Sequence, residues 1–227
     1  AWADPHSPAN ANRISQYYIT ETEELTAVPN LVTAVLADFR GFDTLFETVV
    51  IFSAGIAVFA ILGGPRRKRR RHNAEEDEDP GENMIVIQTC RLVIPIMQLF
   101  ALYVIAHGHH SPGGGFQGGV VLGASFILWA IARNLPTALQ RLSSRKTMIL
   151  ACIGVLVYAG IGVICQGLGR NFLDYHILHQ ILPATDAVMA RSHAMLGVEI
   201  GVAFTVSAIM FGLYAYLSSQ GREEGGL

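Results

Sequence analysis

Residues 85–132 read IVIQTCRLVIPIMQLFALYVIAHGHHSPGGGFQGGVVLGASFILWAIA. Two apolar segments, 85–106 and 116–132, flank a turn that is rich in histidine and glycine. The first segment has the ~20 residues that a helix needs to cross the hydrocarbon core of a bilayer. Both segments are unbroken apolar runs rather than the alternating runs of a barrel strand, so they predict membrane helices. We expect the shorter second helix to begin inside the turn, at about Gly113.

Three further apolar segments lie at 45–62, 148–166 and 194–217. The chain of 227 residues is 51% hydrophobic and only 15% charged, and its mean hydropathy is positive. This composition differs from that of an ordinary soluble domain. The sequence therefore predicts an all-α integral membrane protein with about five transmembrane helices in the lipid bilayer.

The basic residues predict how these helices are oriented. Most of the 16 Lys and Arg residues fall in three places that five spans would put on one side of the membrane. Because basic loops face the cytoplasm, we expect the N-terminus outside and the C-terminus in the cytoplasm. The three places are a run (Arg66, Arg67, Lys68, Arg69, Arg70, Arg71), a loop (Arg133, Arg141, Arg145, Lys146) and the tail (Arg222).

These features divide the chain into five parts. Residues 1–29, with Pro5 and Pro8, are predicted to form an extended periplasmic arm. Residues 64–83 join the basic run to an acidic one and predict a solvated cytoplasmic linker. The linker separates a one-span module at 30–63 from a four-span domain at 84–218, with a cytoplasmic tail at 219–227. Because the chain begins without methionine, we expect that a leader or a first helix has been removed.

The turn after residue 106 contains too much glycine and proline for an ordinary helix connection, which predicts a close approach to another part of a protein. Glycines then follow at a spacing of four residues, at Gly115, Gly119 and Gly123. Small residues at this spacing let helices approach closely in lipid. We interpret these glycines, and Gln117 beside them, as structural or docking residues.

Two carboxylates lie about one turn inside predicted spans, Glu47 in the first and Glu199 in the fifth, both towards the outer side. Ionisable residues inside a membrane are costly, so each is a candidate for an ion pathway, where burial and a neighbour would tune its pKa. Glu47 has an alternative role, because Thr44 and Glu47 have the spacing of a capping box at a helix start. For Glu199 the alternative is simple solvation at the interface.

Three histidines lie in the turn, at His107, His109 and His110. Histidine can carry protons near neutral pH, which makes them further ion-pathway candidates. The alternative is hydrogen bonding that holds the turn. A metal site is disfavoured because no carboxylate or cysteine lies at ligand spacing, and we expect no metal and no other cofactor.

Asp38, Arg40 and Asp43 precede the first span. They predict either a solvated turn with a local ion pair of little energetic value or a docking site for a partner subunit. Arg91 lies about a turn and a half inside the second span, where its side chain can snorkel to the headgroups.

The sequence contains no nucleophile with an adjacent base, no phosphate-binding loop and no cofactor motif, which excludes a stand-alone enzyme. Cys90, Cys152 and Cys165 are widely spaced within apolar segments and predict packing residues. The basic run adjoins a membrane span, so we do not interpret it as a site for nucleic acid.

Two parts of the chain resemble known membrane subunits. The B subunit of multisubunit Mrp-type sodium/proton antiporters is similar to residues 82–128, which contain the turn HGHxSPGGGFQGG, and to residues 191–211, RSHAMLGVEIGVAFTVSAIMF. Residues 30–56 resemble the last part of the large A subunit of these antiporters; they read NLVTAVLADFRGFDTLFETVVIFSAGI. In membrane-bound hydrogenases the same part recurs as a separate E subunit. Two modules that we associate with separate subunits thus share one chain.

The resemblance implies a subunit, not itself an enzyme, of an antiporter in a bacterial or archaeal cytoplasmic membrane. Such a subunit helps to form or seal a path for sodium ions and protons. The implied partners are large antiporter-like subunits and small C-, F- and G-type subunits. One alternative is the same subunit within a membrane-bound hydrogenase or related redox complex that drives ion pumping, and another is a purely structural scaffold.

Overall fold

The computed structural model describes residues 13–62, 84–182 and 186–219, and within these ranges the chain forms helices and no strands. The predicted linker at 64–83 and the tail beyond residue 219 lie outside the described residues. A π-helical turn occupies Val35–Phe39 and a 3-10 helix occupies Tyr175–Gln180. The α-helices are α1 (Arg13–Thr26), α2 (Leu31–Ala34), α3 (Gly41–Leu62), α4 (Met84–Ala106), α5 (Gly115–Arg133), α6 (Leu135–Arg141), α7 (Ser144–Gly167) and α8 (Ala187–Ser218).

Five of these helices, α3, α4, α5, α7 and α8, are long and apolar enough to cross a membrane. The prediction of an all-α membrane protein with five spans is confirmed. The central helix is α8, because 72% of its most apolar stretch is buried inside the chain, against 17–33% for the other four spans. At 1.5 Å per residue α8 is about 48 Å long, which exceeds the ~30 Å hydrocarbon core of a bilayer.

Glycines bring α5 directly against α8. A Cβ atom on Gly115 would lie 2.0 Å from the carbonyl oxygen of Glu199. Cβ atoms on Gly119 and Gly123 would lie 3.0 and 3.2 Å from backbone atoms of α8. Since these distances leave little or no room for a side chain, the glycines set the separation of the two helices.

The N-terminal arm differs from the extended segment that we predicted, because α1 occupies much of it. No proline lies between Pro8 and Pro29, so nothing in this part of the sequence interrupts helical hydrogen bonding. The helix ends before Ala27, whose φ of 53° lies in the left-handed region. Pro5 and Pro8, on which the expectation of an extended arm rested, both precede α1 in the sequence.

The first membrane helix begins earlier than its apolar segment indicates. Since α3 starts at Gly41, Thr44 lies inside the first turn and does not cap the helix. The Thr44 hydroxyl instead donates a hydrogen bond to the carbonyl oxygen of Leu36 at 2.8 Å. The capping-box interpretation of Glu47 is therefore wrong.

The last membrane helix also begins earlier than predicted. The Asp186 carboxylate caps α8 by accepting a hydrogen bond from the amide of Met189 at 2.8 Å. Polar residues such as Arg191 in the first turns hid this start from the hydropathy pattern. Glu199 consequently lies about 18 Å along the helix, or three turns rather than one from its start.

Candidate functional site

A cavity of about 260 Å³ lies between the segment that precedes α3, the start of α5 and the side of α8. It brings together the two carboxylates that the sequence singled out, Glu47 on α3 and Glu199 on α8. We call it the carboxylate cavity. Its other polar side chains belong to Thr33, Thr44, Thr48 and Gln117.

The glycine turn surrounds the buried carboxylate of Glu199, which is only 7% exposed. A Cβ atom on Gly108 would lie 2.9 Å from Oε2, and one on Gly114 would lie 3.0 Å from Oε1. Within the described part of the chain, Oε2 has no hydrogen-bond partner. Burying a carboxylate without partners costs free energy, so this oxygen is suited to hold a proton or a cation.

Backbone conformation adds a second reason for glycine in this turn. Gly114 has a φ of 132°, which residues with a side chain rarely adopt. Among the described glycines, Gly115, its neighbour, is the one at which an added Cβ atom would come closest to the α8 backbone. The close approach predicted for the turn is therefore to Glu199 and its helix.

Glu47 lies about 9 Å along α3, and its side chain is exposed on the surface of this chain. A charged group at such a position within a span requires a water-filled space or a neighbouring protein. The carboxylate cavity thus connects a buried carboxylate, Glu199, with one that reaches the chain's surface.

Asn30 fastens the one-span module to the glycine turn. Its side-chain amide donates hydrogen bonds to the carbonyl oxygens of Gly108 and Ser111, both at 2.8 Å. Its backbone amide donates to the carbonyl oxygen of His109 at 3.0 Å, and the Thr33 hydroxyl donates to that of Gly108 at 2.7 Å. Because Thr33 lines the carboxylate cavity, these bonds join one wall of the cavity to the glycine turn.

Two buried tyrosines hold the segment that leads into α3. The Tyr158 hydroxyl donates to the carbonyl oxygen of Gly41 at 2.7 Å, and the Tyr175 hydroxyl donates to that of Ala37 at 3.1 Å. Ala37 lies within the π-helical turn, a feature that is frequent at functional sites, and Gly41 is the first residue of α3. The tyrosines therefore fix the position from which α3 presents Glu47.

The charged residues before α3 separate into two kinds. Arg40 and Asp43 form an exposed ion pair with each other. Asp38 is buried and accepts a hydrogen bond from Nε of Arg191 at 2.7 Å. Burial raises the pKa of the Asp38 carboxyl above its usual value, although Arg191 opposes this shift. Asp38 thus docks the one-span module to α8 of the same chain, and docking to another subunit stays a prediction.

The turn histidines lie outside the carboxylate cavity. His109 is 8% exposed, whereas His107 and His110 are exposed, and the His107 ring stacks on Tyr103 with centroids 4.3 Å apart. Burial lowers the pKa of His109, and charge on His110 and His193 lowers it further. No group of three or more potential metal ligands occurs within residues 13–62, 84–182 and 186–219.

Our sequence analysis missed Asn30 and Arg191. Asn30 directly precedes an apolar run, which is an N-cap signal, and its carboxamide oxygen does accept from the amide of Val32 at 3.1 Å. Arg191 is a lone cation shortly before an apolar segment, but no pattern in the sequence identifies Asp38 as its partner.

Comparison with known proteins assigns the two parts of the chain to two family models. The model described as a domain related to the MnhB subunit of Na+/H+ antiporters matches residues 85–212. The model described as the E subunit of MBH matches residues 6–80.

Two relatives carry antiporter names. A protein of Rhizobium meliloti (strain 1021), named as the probable A/B subunit of a K(+)/H(+) antiporter, is 29% identical over 188 residues, which are 75% of this chain and 19% of that protein. The putative antiporter subunit mnhB2 of Staphylococcus aureus (strain Newman) is 33% identical over 138 residues, which are 60% of this chain and 96% of that protein. The chain therefore spans about a fifth of the first relative and nearly all of the second.

Two solved structures have a similar fold. One chain of the Mrp complex from Dietzia sp. DQ12-45-1b aligns over 95% of this chain and 23% of its own length, with a TM-score of 0.68 and 22% identity. One chain of an archaeal respiratory complex, the membrane-bound sulfane sulfur reductase, aligns over 93% of this chain and 89% of its own length, with a TM-score of 0.65 and 24% identity. The family-model match over residues 85–212 confirms the resemblance found in the sequence. That match shows that the chain belongs to the family of domains related to the MnhB subunit of Na+/H+ antiporters, and the two similar folds agree with it.

Proposed function

We propose that this chain is a non-enzymatic subunit of a multisubunit Mrp-type cation/proton antiporter and that its carboxylate cavity is part of the ion path. Family membership and the antiporter names of the relatives support the first statement. The observation that carries the second is the meeting of Glu47 and Glu199 in one cavity. The proposed location is the cytoplasmic membrane of a bacterium or archaeon.

The two carboxylates have different tasks in this proposal. Glu47, at the chain's surface, exchanges a proton or a sodium ion with a neighbouring subunit. Glu199, held by the glycine turn, takes it up at the buried oxygen that lacks a partner among the described residues. A carboxylate serves both ions, because the oxygen that binds a proton can bind a cation once the proton has left. Threonine hydroxyls in the cavity provide polar contacts between the two positions.

The proposed partners are the large antiporter-like subunits and the small C-, F- and G-type subunits. A carboxylate at a span surface is stabilised by protein or water and not by lipid, so one of these partners is expected to cover Glu47. The exposed apolar side chains of α3, such as Phe46 and Val50, provide the surrounding contact surface.

The test is sodium-dependent proton transport in vesicles that contain the complete complex, with Glu47→Gln and Glu199→Gln compared with Glu24→Gln. Glutamine keeps the shape of the side chain but carries neither the charge nor the exchangeable proton. Glu24 is an exposed residue of α1 outside the carboxylate cavity. We expect transport to be lost in the first two variants with assembly intact, and to be unchanged in the third. Normal transport in all three would contradict the ion path and favour a structural scaffold.

The match of residues 6–80 to the MBH model supports a second candidate, in which the same path belongs to a redox-driven complex. Purification of the intact complex distinguishes the two. Redox-active subunits that copurify in fixed stoichiometry would favour this candidate, and their absence from an active complex would favour the antiporter.

A further inference from the structure

A second cavity, of about 420 Å³, lies at the other end of the bundle, where α4 begins and α5 ends. Three arginines line it: Arg91 on α4, Arg133 at the end of α5 and Arg141 at the end of α6. Most of the remaining lining is apolar and comes from Ile87, Cys90, Ile94, Pro95, Phe126, Trp129, Ala132 and Leu142. We propose that this arginine cavity binds the headgroup of an anionic glycerophospholipid.

The three arginines give the cavity a positive charge that favours binding of an anion. The two ion pairs of the described residues lie elsewhere, before α3 and between that segment and α8. Neither involves the three arginines that line the arginine cavity. A guanidinium group offers a planar fork of donors that matches the oxygens of a phosphate, so three of them around one cavity suit a phosphodiester.

The surroundings of the cavity favour a lipid over a soluble anion. Leu92, Ile96 and Leu99 lie on the same stretch of α4 as the lining residues, and all three are exposed large apolar side chains. The Arg141 guanidinium carbon lies 5.8 Å from the centroid of the Trp129 ring, and tryptophan is enriched where a membrane protein meets the headgroups. An anion in this cavity is therefore next to a surface that acyl chains can cover.

Pro95 removes a hydrogen-bond donor from the stretch of α4 that lines the cavity. Because proline has no backbone N–H, the carbonyl oxygen of Arg91, four residues earlier, loses its usual helical donor. Both residues line the cavity. Hydroxyl groups of a glycerol headgroup can supply the missing donor, and basic pockets of this kind between membrane helices bind anionic headgroups.

The test uses the complete complex, stripped of lipid in detergent and then incubated with phosphatidylglycerol, phosphatidylcholine or inorganic phosphate. Native mass spectrometry counts the lipid bound per complex. Arg133→Gln is compared with Arg145→Gln, which removes the same charge from an exposed residue nearby that does not line the cavity. Arg141→Gln is a second variant in case Arg133→Gln fails to assemble.

We expect saturable binding of phosphatidylglycerol in preference to phosphatidylcholine. Arg133→Gln and Arg141→Gln should each weaken it about fivefold, as the loss of one basic residue near an anionic headgroup does, and Arg145→Gln should leave it unchanged. Three results would overturn the proposal. The first is equal binding of the two lipids, and the second is an equal effect of Arg133→Gln and Arg145→Gln on phosphatidylglycerol binding. The third is phosphatidylglycerol binding that appears only when the acidic residues at 75–79 have been replaced by neutral ones. The last result would make those acidic residues the occupant.

Discussion

Asp38 and Arg191 form a partly buried ion pair between residues 153 positions apart in the sequence. The Nε and Nη2 atoms of Arg191 lie 2.7 and 2.6 Å from the same carboxylate oxygen, Oδ2 of Asp38. The Asp38 side chain is 7% exposed and that of Arg191 is 18% exposed. This pair links the segment before α3 to α8. It therefore fixes α3, which carries Glu47, relative to α8, which carries Glu199.

Removing the cation should therefore be costly. Arg191→Gln leaves the Asp38 carboxylate buried without its partner, and we expect it to lower the free energy of unfolding by about 3–5 kcal/mol. Arg40→Gln is the matched control, because Arg40 belongs to the exposed pair with Asp43 and such pairs contribute about 0–1 kcal/mol. Chemical denaturation of the purified protein in detergent measures both. Equal effects of the two substitutions would contradict a stabilising role for the partly buried pair.

A second prediction concerns Asn30. Asn30→Ala removes two hydrogen bonds to the glycine turn and the cap of α2. At about 1 kcal/mol for each lost interaction, we expect a destabilisation of about 2–4 kcal/mol and faster hydrogen exchange of the amides at 108–114. Asn171→Ala changes an exposed side chain in the loop after α7 and should have no such effect. If the amides at 108–114 exchange at the same rate in the Asn30→Ala and Asn171→Ala variants, Asn30 does not hold the turn.

These relationships show what the sequence can and cannot predict. Membrane helices are set by the length of an apolar run, so all five spans were predictable, whereas their ends were misplaced where polar residues such as Arg191 extend a helix beyond the apolar run. Glu47 and Glu199 were visible as carboxylates within apolar segments. The sequence did not show that these two carboxylates line one cavity. That arrangement depends on hydrogen bonds between residues far apart in the sequence, such as Asn30 and Gly108, which are 78 positions apart.

The glycine contact between α5 and α8 gives a third prediction. Gly115→Ala places a methyl group where the carbonyl oxygen of Glu199 lies 2.0 Å away, so the helices must separate. We expect a loss of about 1–3 kcal/mol and reduced transport, since Glu199 moves relative to the turn. Gly160→Ala is the control, because nothing lies within 4 Å of a Cβ atom there. Alanine at that helical position should be neutral or stabilise by up to about 1 kcal/mol. A neutral Gly115→Ala variant would show that the two helices are not in tight contact.

The last prediction is a pH dependence of the glycine turn that arises from His109. Burial lowers the pKa of this histidine below its usual value of 6.5, and charge on His110 and His193 acts in the same direction, while a hydrogen bond with the Ser192 backbone opposes it. The folded turn therefore binds a proton less readily than the unfolded chain does. The contribution of His109 to stability is complete above pH 6.5 and is lost as the pH falls through the lowered pKa. Hydrogen-exchange protection of residues 107–114, corrected for intrinsic exchange, should fall between pH 8 and pH 5. His109→Asn should abolish this fall, and His176→Asn, at an exposed histidine outside the turn, should preserve it. A fall of the same size in the His109→Asn variant would assign the pH dependence to another group.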